Sequence, residues 1–138
     1  MKPIGLVPEL LVTDLKKSLS FYIEKLGFVV LYGREEEHFV FLQKGNAQIM
    51  VEQLGVGRNW VADELAHPFG RGVNFQIEVE DVESLYKTVE QNDLKFFMPL
   101  EEKWYKKDQG LVGNKQFIIQ DPDGYLLRFY QDLGGKQN

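Results

Sequence analysis

Three glutamates, one arginine and two tryptophans are the residues of this chain best suited to recognition or catalysis. Glu9, Glu52 and Glu78 each sit in a stretch that alternates polar with apolar residues, where a carboxylate drawn partly out of water can move a proton or hold a cationic guest. Arg128 lies in a similar stretch near the C-terminus and offers a planar fork of donors suited to carboxylate or phosphate. Trp60 and Trp104 fall in stretches with little periodicity, where a large flat side chain is more suggestive of a ligand contact than in a core. Met50, Asn74 and Gln76 share the alternation of these charged residues and belong to the same candidate lining.

Other chemistry is poorly represented. The chain has no cysteine, so neither a thiolate ligand nor a disulfide framework exists. His38 and His67 fit no compact metal spacing and read as surface residues, one at the start of a strand and one before Pro68 in a loop. There is no nucleophile elbow, no glycine loop followed by lysine to cradle phosphates, and no HExxH.

These residues are positioned by a unit written twice. Val7-Pro-Glu-Leu-Leu-Val-Thr-Asp14 precedes one helical pattern, and Val73-Asn-Phe-Gln-Ile-Glu-Val-Glu-Asp81 precedes another. Asp14 and Asp81 are placed as N-caps; Leu15, Leu19, Tyr22 and Leu26 then share one helical face before Gly27, as do Val82, Leu85, Tyr86 and Val89 before Asn92. Strands are expected at Phe28–Tyr32, His38–Gln43 and Ala47–Gln53 in the first half, and near Lys95–Met98, Lys115–Gln120 and Tyr125–Gln131 in the second. Lys44-Gly-Asn46 and Asp121-Pro-Asp-Gly124 supply the corresponding hairpin turns. Leu54–Gly72 and Pro99–Gly113 read as two long loops, the second carrying Trp104 and Tyr105; a short helix at Trp60–Ala66 is an alternative use of Trp60.

The expected organisation is a single domain over 1–138, with a first module at 1–53, a linking loop at 54–72, a second module at 73–132 and a tail at 133–138. With 43% apolar residues in 138, the chain can build a core, and a net charge of −5 argues against sequence-independent binding of nucleic acid. No apolar stretch is long enough to span a bilayer and the first residues lack a signal-peptide core, so a cytoplasmic protein without membrane partners is expected.

Val12-Thr-Asp-Leu-Lys-Lys-Ser-Leu-Ser-Phe-Tyr22 with Leu26-Gly-Phe28, Gly45-Asn-Ala-Gln-Ile-Met-Val-Glu-Gln53 and Asp121-Pro-Asp-Gly-Tyr-Leu-Leu-Arg-Phe129 resemble phrases of the vicinal oxygen chelate superfamily, the glyoxalase, bleomycin-resistance and dioxygenase proteins. The resemblance implies an α+β fold of two βαβββ modules forming a half-open barrel around a concave cavity, usually in a homodimer. In metal-using members a divalent ion is held by four His or Glu side chains, whose positions here are Val7, Met50, Asn74 and Arg128, with Glu52 two residues from Met50.

Valine has no donor atom, a thioether and an amide are weak ligands, and a guanidinium repels a cation. No cofactor is therefore expected. The reading favours the bleomycin-resistance branch: a sequestering protein for a small polar or aromatic organic ligand, a bleomycin-type antibiotic being one candidate. The alternative is a metal-dependent glyoxalase, thiol-transferase or dioxygenase-type enzyme with a different ligand set. Candidate ligand contacts are Glu9, Met50, Glu52, Trp60, Asn74, Gln76, Trp104 and Arg128, with Arg128 either free for a ligand anion or paired with Glu9, Glu52 or Glu78.

Overall fold

The computed structural model describes residues 4–137. They form two compact units, the first comprising residues up to Phe69 with Asp121–Gly124, the second Gly70–Gln120 with residues from Tyr125 onward. Each contains one four-stranded mixed sheet and one main helix, the first adding a single 3-10 turn at Glu35–Glu37, so the fold is α+β.

In the first unit β1 (Glu9–Val12) leads into α1 (Leu15–Leu19), which continues as a π-helical stretch, Ser20–Lys25. The Asp14 carboxylate accepts from the Lys17 N–H at 3.3 Å, the side-chain cap expected from its position. Gly27 follows at φ +83°, a left-handed conformation that glycine adopts without steric cost. β2 (Val29–Arg34), β3 (Phe39–Lys44) and β4 (Ala47–Gln53) complete a sheet of order β1-β4-β3-β2. Leu10, Val12, Leu42, Ile49 and Val51 are buried together with Phe21, Tyr22, Leu26 and Phe28.

The second unit repeats this with β5 (Asn74–Glu78), α2 (Val82–Gln91), β6 (Phe96–Lys107), β7 (Gly110–Gln120) and β8 (Leu126–Gln137), in the order β5-β8-β7-β6. Asp81 caps α2 through the Ser84 N–H at 3.1 Å. The repeat extends to a detail not read from the sequence. The first helical N–H of α1, on Leu15, donates to Gln53 Oε1 at 2.9 Å, and that of α2, on Val82, donates to Gln131 Oε1 at 3.1 Å, so a glutamine on each parallel neighbour strand anchors its helix.

Several expectations need correction. Pro99–Gly113 is not a loop: β6 and β7 pair continuously from Glu101↔Gln116 to Lys107↔Gly110 and turn through Asp108 at φ +56°. Residues 133–137 are not a tail, because β8 stays paired with β7 as far as Gln137↔Gly110. β1 is shorter than its apolar alternation suggests, leaving Leu6 84% exposed. Val73, which opens the second copy of the repeated unit, is also exposed. Leu54–Gly72 is a loop as read, and no helix forms at Trp60–Ala66.

The turn between β7 and β8 is locked into the first unit by its acids. Asp121 accepts from the buried Tyr22 hydroxyl at 2.7 Å, and Asp123 accepts from the Thr13 hydroxyl at 2.6 Å. Gly124 sits at φ +103° with so little room that an added Cβ would lie 2.5 Å from Pro68.

Candidate functional site

Strand alternation sends one set of side chains toward the helix and the other to the opposite face of each sheet. On the first sheet the register Glu9↔Met50 and Leu11↔Glu52 brings Glu9, Met50 and Glu52 onto that opposite face, as their alternation predicts. Phe41↔Met50 and Phe39↔Glu52 add two aromatic side chains beside them, and Tyr32↔Phe41 and Arg34↔Phe39 extend the row to the edge strand.

The result is an acidic and aromatic face on which Tyr32 is exposed while Phe39, Phe41 and Glu52 are buried. Tyr32 and Phe41 stack with ring centroids 5.2 Å apart and an interplanar angle of 26°. The Arg34 guanidinium lies 4.1 Å from the Phe39 ring centroid and donates to Glu37 at 2.9 Å. Glu52 is 4% exposed, its Oε1 accepting from Asn59 Nδ2 at 3.1 Å. Gly57 presses over the same oxygen, which an added Cβ would approach to 2.8 Å, so a side chain at that position would displace the Glu52 carboxylate. Burial, and then the nearby charge of Glu52, hold the Glu9 carboxyl above its ordinary range, with Arg34 partly offsetting them.

Trp60, on the covering loop, is 69% exposed, and the Arg58 guanidinium lies 4.2 Å from its ring centroid. Sequence reasoning did not select Tyr32, Arg34, Phe39 or Phe41. Phe39 and Phe41 are each 2% exposed and belong to the core, as alternating aromatics suggest; the tight turn after Lys44 fixes Lys44↔Ala47 and thereby sets Phe41 beside Met50.

The second sheet carries a different set at the same register. Gln76 faces Arg128 across the parallel pair β5–β8, and Arg128 Nη2 donates to Gln76 Oε1 at 2.5 Å. Within this unit Arg128 therefore chooses an amide rather than Glu78, two residues along β5. Its Nε is buried with no hydrogen-bond partner. Asn74, paired with Leu126, is exposed. Trp104 belongs to β6, not to a loop: its ring lies over Gly113, its Nε1 donates to Glu102 at 3.0 Å, and Lys136 Nζ is 3.9 Å from its centroid.

A separate cavity of about 610 Å³ opens on the helix side of the first sheet, between Leu15 and Leu19 of α1 and Gly33, Val40 and Gln53. None of the candidate contacts lines it. Of its polar lining, Asp14 and Gln53 are engaged in capping α1 and Arg34 with Glu37, while Lys16, Glu35 and His38 also border it.

The four positions that the resemblance assigns to a metal divide between the units, Val7 and Met50 in one, Asn74 and Arg128 in the other. Their donors do not fit a divalent ion, and a fixed guanidinium opposes one. Among the described residues no group of three or more His, Cys, Asp or Glu is arranged to hold a metal. His38 and His67 are exposed. Among the described residues no helix is long and apolar enough to cross a membrane.

Residues 6–129 match the family model described as Glyoxalase/Bleomycin resistance protein/Dioxygenase superfamily. A bleomycin resistance protein of Geobacillus stearothermophilus is 27% identical, the match covering 92% of this chain and 96% of that protein. The uncharacterized protein YraH of Bacillus subtilis is also 27% identical, covering 90% and 94%. In fold, the chain is similar to TioX of Micromonospora sp. ML1, with a TM-score of 0.71 at 21% identity, covering 95% of this chain and 100% of the other. Repeated units, shared phrases and this match over most of the length lead to one assignment: the chain belongs to the glyoxalase/bleomycin resistance protein/dioxygenase superfamily.

Proposed function

We propose that the protein binds and sequesters a cationic organic molecule with a flat aromatic portion, of the bleomycin type, without a metal cofactor. The observation that carries this reading is the chemistry of the first sheet's face away from the helix: Glu9 and the buried Glu52 on the same face as the Tyr32–Phe41 stack, of which Tyr32 is exposed. Two carboxylates in a partly desolvated setting repel each other, and a cation placed between them relieves that repulsion. The exposed Tyr32 ring on the edge strand adds stacking area for a planar ring. Relatives named bleomycin resistance proteins, matched over nearly their full length, support the ligand class.

In this reading Glu9, Met50, Glu52 and Trp60 contact the cationic ligand on the first unit. The protein acts as a cytoplasmic homodimer. Support for self-association comes from edge strand β2, which leaves Val29 56% and Val30 51% exposed.

The reading is tested by titrating metal-free bleomycin into the purified protein and following tryptophan fluorescence, in parallel runs with and without a chelator. Saturable binding at micromolar concentration is expected, weakened about tenfold by Glu52→Gln, as loss of one charge-assisted contact predicts. No saturation, or saturation that the chelator abolishes, contradicts it.

A further inference from the structure

We infer that the second unit carries a separate recognition point for an organic carboxylate, built from Arg128 and Gln76. Arg128 emerges from β8 with Nε buried and lacking a partner, while Nη2 meets Gln76 Oε1 at 2.5 Å. A guanidinium held against a protein surface ordinarily finds a carboxylate, because only a fork of charged acceptors offsets the loss of water from its donors. Here its partner is one neutral amide oxygen, which occupies the place a carboxylate oxygen would take.

The exchange of partners is cheap. Gln76 is exposed and lies on a strand edge, so its amide can rotate, release Nη2 and present its own N–H₂ to the incoming anion. Arg128 and Gln76 are register partners on adjacent parallel strands, which keeps both donors on one face with no backbone movement. Ile118, register partner of Arg128 on β7, supplies an apolar neighbour for the organic part. Glu78 stands further along the same face, opposite Tyr130, and its charge selects a singly charged, planar carboxylate over a phosphate dianion. This point is chemically opposite to the cation-binding face of the first sheet and does not depend on it.

The test is a titration of the full chain with sodium benzoate, chloride being replaced at constant ionic strength, read by the Arg128 Nε–H signal in proton–nitrogen correlation NMR. Loss of one signal in Arg128→Lys assigns it. The signal is expected to move saturably with benzoate and to ignore benzamide, which has the ring without the charge. Gln76→Glu, which supplies a carboxylate from the chain itself, is expected to lower benzoate affinity about tenfold, the worth of a charge-assisted pair. A signal that does not move, that responds equally to benzamide, or that titrates unchanged in Gln76→Glu overturns the inference. Bleomycin binding that survives while benzoate fails removes this site alone; benzoate binding without bleomycin binding removes the function proposed above and leaves this site standing.

Discussion

The two sheets share one plan and differ in what they display. Glu9↔Met50 in the first unit corresponds to Gln76↔Arg128 in the second, and Leu11↔Glu52 to Glu78↔Tyr130. At the same places on the same scaffold, the first sheet shows buried acid beside stacked aromatics and the second shows a cation resting on an amide. The helix-side residues tolerate no such divergence: Val12, Val51, Leu127 and Phe129 are fully buried in their units. Packing holds one face of each sheet constant, and the other is left free for chemistry.

The largest contrast to probe is between the hairpin turns. Gly124→Ala is expected to cost at least about 3 kcal/mol, because φ +103° and the Pro68 contact both exclude a Cβ. Gly45→Ala, at φ +58° with nothing within 4 Å, should cost about 1 kcal/mol. Denaturant unfolding of the two variants measures the difference; equal losses would show that the second turn is not held as described.

The tryptophans give the next contrast. Trp104→Ala removes a ring that covers Gly113 across the strand pair and should destabilise by about 2 kcal/mol. Trp60→Ala, on an exposed ring, should stay within about 0.5 kcal/mol of the parent. If the two variants melt alike, the β6–β7 extension is less well formed than its register indicates.

How much of this was legible without coordinates follows from what each segment buries. Both helices, their aspartate caps and the Ala47–Gln53 strand carry clear periodicity because one face of each packs on a core. Residues 101–107 and 131–137 pair at the periphery, where Lys, Glu and Gly replace the alternating apolar residues, so no period marks them as strand. Glu9, Met50 and Glu52 could be placed on one face by counting in steps of two. Phe39 and Phe41 are core residues, as alternating aromatics suggest, and tracing the hairpin through the Gly45-Asn46 turn places them beside Glu52 and Met50. That Arg128 meets Gln76 rather than a glutamate depends on rotamer and register, neither of which a sequence displays.

A smaller effect concerns acidity. Burial and Glu52 raise the folded-state pKa of Glu9 above its unfolded value, so folding favours its protonated form. Its contribution to stability is complete in acid and is lost as pH rises through the raised value. Glu9→Gln should therefore be more stable than the parent near neutral pH, by about 0.5 kcal/mol given solvent screening, with the difference vanishing below about pH 4. Thermal melts across that range check the sign, and a variant less stable than the parent at neutral pH would show that Glu9 is held by a favourable partner.

The asymmetry between the sheets is tested most directly by calorimetric titration of metal-free bleomycin into three proteins: the parent, Glu9→Gln combined with Glu52→Gln, and Arg128→Gln. The parent should bind, the double variant should lose about a hundredfold in affinity, and Arg128→Gln should bind at least as tightly as the parent, since it removes only a repelling charge. Full binding by the double variant, or its loss in Arg128→Gln alone, would contradict the acidic aromatic face as the ligand's seat.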